Sequence, residues 1–140
     1  MLKKIICITL ALTLFAAVLL SAGAADDKFS MSYIYFGDSG NFAALVNGTG
    51  GSLSEVAPAY FSLTAQGELL LTPAVDPDFV RQMHDKGILV VPYLTNDWVQ
   101  DKGIAALNNM DKLTDDLAAA VAAYGLDGVN IDIENVTEDE

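Results

Sequence analysis

Asn130, Asp132 and Glu134 stand on alternate residues of a short apolar run, Leu126-Asp127-Gly128-Val129-Asn130-Ile131-Asp132-Ile133-Glu134-Asn135. Side chains of a β-strand alternate between faces, so the amide and the two carboxylates share one face, and Val129, Ile131 and Ile133 the other. The apolar residues are all β-branched, the type found in strands buried on both sides of a parallel sheet. Carboxylates held in a buried space are costly unless chemistry requires them, and catalytic acids and bases sit in such places. Other candidate residues lie upstream. Asn96-Asp97-Trp98 leaves a hydrophobic strand, and Trp98 offers a ring for ligand stacking or simple packing. Tyr33, Tyr35 and Tyr93 lie on strands, where they line a cleft or pack the core. His84 has no partner at metal-ligand spacing and reads as a surface residue. The sequence has no Cys/His cluster, phosphate loop or Ser-His-Asp arrangement.

The elements that position these groups follow from local signals. Met31 to Phe36 reads as a strand ended by Gly37-Asp38-Ser39-Gly40, and Asn41 to Val46 as a short helix. Val56 to Leu63 reads as a second strand with Pro58 at its start, and Leu69-Leu70-Leu71 as a short extension beyond a turn. Asp76 suits a helix cap, Pro77 the first helical position and Gly87 the exit. Ile88 to Leu94 is a continuous hydrophobic strand. Helices fit Lys102 to Asn108 and Asp111 to Tyr124, the latter ended by Gly125. Thr137 to Glu140 resembles the opening of another helix. Strands alternating with helices over short connections imply right-handed crossovers and a parallel sheet. An open doubly wound sheet and half of a (β/α)8 barrel both fit this order.

The composition, 52% hydrophobic and 19% charged over 140 residues, is that of a folding chain. Lys3 and Lys4 precede an uncharged run from Ile5 to Leu20, and Ala22-Gly23-Ala24 fits a signal-peptidase site. Residues 1–24 are expected to be a signal peptide, the alternative being an uncleaved membrane anchor. The single cysteine, Cys7, lies inside that segment, so the mature chain has no thiol for a disulfide or a metal. All 19 acidic residues follow the leader, and the formal net charge is −12. So acidic a chain is unsuited to nucleic acid or to an anionic membrane surface.

The pattern Asp127-Gly128-x-Asn130-x-Asp132-x-Glu134 resembles the D-G-x-D-x-D-x-E signature of glycoside hydrolase family 18, the chitinase-like enzymes, at the end of the fourth barrel strand. Asn130 stands where many members have Asp. The variant D-G-V-N-I-D-x-E is similar to that of bacterial members linked to spore cortex and peptidoglycan degradation. The resemblance spans Met31 to Glu140. It implies an α/β fold, a (β/α)8 TIM barrel of which about the first four β/α units are present. It also implies retaining, substrate-assisted cleavage of β-1,4 links next to N-acetylglucosamine in peptidoglycan or chitin. Glu134 would be the general acid and then the base, Asp132 would orient the substrate's acetamide, Asn130 would support Asp132, and Asp127 would hold local backbone. Tyr35, Asn96 and Trp98 are the expected substrate-binding residues, on the face where barrel loops gather.

No metal or organic cofactor is required by that mechanism. The expected partner is a glycan containing N-acetylglucosamine, with no nucleic acid and no membrane after signal cleavage, and the expected location is secreted or cell-wall. A barrel of this kind takes about 250 residues. Residues 25–140 are therefore expected to be the N-terminal half of a catalytic domain, inactive alone. The alternatives are a non-catalytic carbohydrate-binding relative or an inert truncated product.

Overall fold

The computed structural model describes residues 28–35 and 39–137. The expected signal segment, Phe36 to Asp38 and the helix opening at Glu138–Glu140 lie outside the described residues. The elements in chain order are β1 (Met31–Ile34), α1 (Ser39–Asn47), β2 (Glu55–Pro58), β3 (Phe61–Leu63) and β4 (Leu69–Leu71). They continue with α2 (Pro77–His84), β5 (Leu89–Val90), β6 (Tyr93–Thr95), α3 (Gln100–Asn108), α4 (Met110–Tyr124) and β7 (Asn130–Asp132).

β1 pairs with β2 and β2 with β5, all parallel. β3 pairs with β6 and β6 with β7, again parallel. Only Ala59 and Tyr60 separate β2 from β3, and only Val91 and Pro92 separate β5 from β6. Each pair is thus one strand with a local break, and the parallel order β1, β2–β3, β5–β6, β7 follows the chain without reversal. A doubly wound sheet reverses its strand order at a switch point. The expected strands 56–63 and 88–94 are therefore present but interrupted. Pro92 has no N–H to give a ladder, and the Tyr60 N–H turns back onto the Pro58 carbonyl at 2.8 Å. β4 pairs antiparallel with β3 through the turn at Gly67. Gly67 has φ +73°, and a Cβ there would lie 2.2 Å from the Ala106 amide nitrogen, so only glycine lets this turn seat on α3.

Helix signals in the sequence act as expected. Asp76 caps α2, its Oδ1 accepting from the Asp78 and Phe79 N–H groups at 2.9 and 3.2 Å. Gly125 ends α4 in the left-handed conformation. The buried core joins Val56, Tyr60, Phe61, Leu63, Val90 and Leu94 of the sheet region to Phe42 of α1, Phe79 and Met83 of α2, Ala106 of α3 and Leu113 of α4. Phe42 and Phe79 meet edge to face at 5.6 Å. Burial raises the ionisation of the Tyr60 hydroxyl well beyond the usual phenol range, and that hydroxyl donates to the Asp76 carbonyl at 3.4 Å. No helix among the described residues is long and apolar enough to cross a membrane.

Candidate active site

β7 is shorter than the sequence implies, covering Asn130 to Asp132, with Glu134 two residues beyond its end. In register, Asn130 lies beside Tyr93 and Asp132 beside Thr95, while Thr95 lies beside Ser62 on the other side. Neighbouring residues of a parallel ladder point to the same side. Ser62, Thr95 and Asp132 therefore form one polar row across three strands, and Tyr93 and Asn130 form the next. Asn130 and Asp132 are half-buried. On the opposite face Val129 and Ile133 pack on the core, but Ile131 is 58% exposed. The expected fully covered apolar face is therefore corrected at Ile131. Among the described residues β7 is the edge strand of its sheet, with β6 as its neighbour.

Tyr93 is the hub of this face. The Tyr35 ring stacks on it with centroids 6.0 Å apart and planes 5° off parallel, and Tyr33 meets it edge to face at 5.4 Å. Burial, aided by Tyr35, Asp132, Asp97 and Tyr33, pushes the Tyr93 hydroxyl up to about 12, so it stays protonated as a donor at neutral pH. An open cleft of about 510 Å³ runs past Tyr35, Ser62, Tyr93, Thr95, Asp97 and the Leu70–Pro73 segment. A smaller groove of about 260 Å³ at the free edge of β1 is lined by Tyr33, Leu45 and Leu53 and carries no acid or amide.

The loop after β6 and the segment after β7 are interlocked. Asp97, Trp98 and Asn135 have φ of 54°, 61° and 60°, left-handed conformations that non-glycine residues adopt at a cost. Asp97 is held by its own N–H on Thr95 Oγ1 at 3.0 Å, and its Oδ2 accepts from Lys102 Nζ at 2.8 Å and Ser62 Oγ at 3.3 Å. Asn135 Nδ2 donates to the Trp98 carbonyl at 3.3 Å. The Trp98 ring is 67% exposed.

Asn96, expected at a substrate, is instead fully buried, with no exposed surface. Its Oδ1 accepts from the Glu134 N–H at 3.0 Å, and its Nδ2 donates to the Glu134 carbonyl at 2.7 Å and the Val99 carbonyl at 3.1 Å. The substrate-binding expectation for Asn96 is corrected: its amide is committed to protein backbone. Gly103 on α3 leaves room for this side chain, since a Cβ there would fall 2.9 Å from Asn96 Nδ2 and 2.8 Å from Val136 Cγ1.

Asp127 lies at the other end of the motif. Its Oδ2 accepts from the Val90 N–H at 2.7 Å and from His84 Nε2 at 2.8 Å, while its own N–H donates to the Val90 carbonyl at 3.0 Å. Six residues, three of them in β7, separate it from Glu134. The Asp127 carboxylate holds backbone at the entry to β7 and lies at the opposite end of the motif from Glu134. His84, which reads as a lone surface residue, has Asp127 as its partner. The structure thus brings Tyr35, Asn130 and Asp132 to one face and holds Glu134 and Trp98 beside it through Asn96 and Asn135. Tyr93, Thr95 and Ser62 join from the neighbouring strands. Among the described residues, no group of three or more His, Cys, Asp or Glu side chains is placed to hold a metal.

No family model and no curated relative matches the sequence. Solved structures do match the fold. A chitinase from Bacteroides thetaiotaomicron superposes with a TM-score of 0.64 over 76% of this chain at 20% identity. The fold is chitinase-like. The spore cortex-lytic enzyme SleL of Bacillus cereus gives 0.66 over 79% at 17% identity, and a chitinase from Chromobacterium violaceum 0.60 over 74% at 21%. This chain spans 36%, 28% and 34% of those three structures respectively. The resemblance in the Asp127–Glu134 motif is thus matched by a shared chitinase-like fold.

Proposed function

We propose that this chain is the acid-bearing part of a family 18-type glycoside hydrolase acting on glycans that contain N-acetylglucosamine, peptidoglycan or chitin. Residues 25–140 supply the first four β/α units of a (β/α)8 barrel, exported behind a signal peptide at residues 1–24. The observation that carries this reading is the position of the motif: Asn130 and Asp132 on the fourth parallel strand and Glu134 just past its carboxyl end, where barrel enzymes place their catalytic groups. The unreversed strand order and the likeness to chitinases and SleL support it.

Glu134 protonates the leaving glycosidic oxygen while the substrate's acetamido oxygen attacks the anomeric carbon. Asp132 orients the acetamide and stabilises the positive charge of the cyclic intermediate. Asn130, on the same face, supports Asp132. The Tyr93 hydroxyl adds a donor to this face, and the exposed Trp98 ring offers a stacking surface for a sugar. Glu134 then takes a proton from the water that opens the intermediate. Two displacements at one carbon retain its configuration. With the barrel complete, fresh product observed by proton NMR should be the β-anomer, and oligosaccharides without the acetamide should not be cut. An α-anomer as first product overturns the proposal.

A further inference from the structure

We infer that Asn96 is the positioning residue of Glu134, joining the acid and the Asp97–Trp98 loop into one rigid body; this rests on the catalytic reading of Glu134. Asn96 contacts no open cleft, yet it closes a two-way bond on the Glu134 peptide, accepting from its N–H at 3.0 Å and donating to its carbonyl at 2.7 Å. Glu134 lies beyond the end of the β7 ladder, so strand pairing does not fix it. Asn96 supplies the pairing that the ladder lacks there. Its third bond, to the Val99 carbonyl at 3.1 Å, closes the loop carrying Trp98. From the other side Asn135, next to Glu134, bonds the Trp98 carbonyl. Two left-handed residues, Asp97 and Trp98, follow Asn96 directly, and a third, Asn135, follows Glu134. Their conformations are tolerated because these bonds hold the segments together. The bare Gly103 Cα beneath Asn96 keeps the amide in reach of both carbonyls.

Two measurements test this. Hydrogen exchange on the full chain should show the Glu134 amide protected in wild type, freed in Asn96→Ala and retained in the isosteric Asn96→Asp, which keeps Oδ1 as acceptor. Equal exchange in wild type and Asn96→Ala overturns the clamp. In the completed barrel, turnover per folded molecule (folded fraction read by circular dichroism) should fall about 100-fold in Asn96→Ala, the scale of an ångström's misplacement. Asn96→Asp should recover towards wild type as pH falls and its carboxyl becomes a donor to the Glu134 carbonyl. Wild-type turnover per folded molecule in both variants overturns the positioning role. Should Asn96→Ala not fold, Asn96→Leu, of similar size but with no acceptor for the Glu134 N–H, takes its place in both measurements. Unimpaired hydrolysis in Glu134→Gln would instead overturn the catalytic reading and leave the exchange result standing.

Discussion

Removing the Asp127 carboxylate should unfasten the start of β7 without touching the acid at its far end. Val90 is fully buried, and its N–H has Asp127 Oδ2 as acceptor at 2.7 Å. A hydrogen bond to a charged acceptor contributes about 1.5–3 kcal/mol, and its loss leaves a buried donor unpaired. The His84–Asp127 contact adds less, because the two side chains are 40% and 28% exposed and solvent screens the pair to below about 1 kcal/mol. Asp127→Ala should therefore cost about 3 kcal/mol, a large share of the roughly 5–15 kcal/mol that stabilises a domain. The melting temperature should fall by about 15 °C. His84→Ala should cost under about 1 kcal/mol, and nothing further in the Asp127→Ala background, because its partner is already gone. Asp127→Asn keeps an acceptor for the Val90 N–H and should fall between. Urea unfolding followed by circular dichroism reads all four. A cost below about 1 kcal/mol for Asp127→Ala, or a His84→Ala cost equal to it, would refute this account of the anchor.

The turn at Gly67 makes a second test: Gly67→Ala should cost over about 3 kcal/mol, since its Cβ meets helix backbone at 2.2 Å, whereas Gly50→Ala, with open space around it, should cost only about 1 kcal/mol of backbone strain. Equal thermal shifts in the two variants would contradict the packing of the turn on α3. Of the five tyrosines, Tyr93 and Tyr60 should form phenolate last in an alkaline absorbance titration. Both are raised in the folded state, so stability is intact below about pH 10, where unfolded tyrosine ionises, and is lost as pH rises through about 12. All five titrating together near pH 10 in folded protein would contradict the burial of these rings.

Local signals made most of the elements legible. Asp76, Pro77 and Gly87 mark α2 because capping and φ preferences act within one turn, and Gly125 marks the end of α4 for the same reason. The breaks at Ala59–Tyr60 and Val91–Pro92 were not legible, because continuous apolar runs carry no sign of where a ladder pauses. In the site, the alternation of Asn130 and Asp132 was readable from strand periodicity, and their shared face is present. The bonds that hold Glu134 and Asp127 were not, since Asn96 and Glu134 are 38 residues apart and His84 and Asp127 are 43 apart. The nearest sequence signal was the Asn96-Asp97 pair at a strand exit, residue types that tolerate left-handed turns and bond backbone locally. Ile131 was misread because an edge strand and a central strand have the same composition.

The central claim is that Glu134 transfers the proton to the leaving oxygen. Glu134→Gln, in protein with the barrel complete, keeps the shape of the side chain and removes its proton. Release of reducing ends from peptidoglycan or chitin oligosaccharides should fall by about 100- to 10,000-fold, with oligosaccharide binding retained. Hydrolysis at the wild-type rate in that variant would contradict the account.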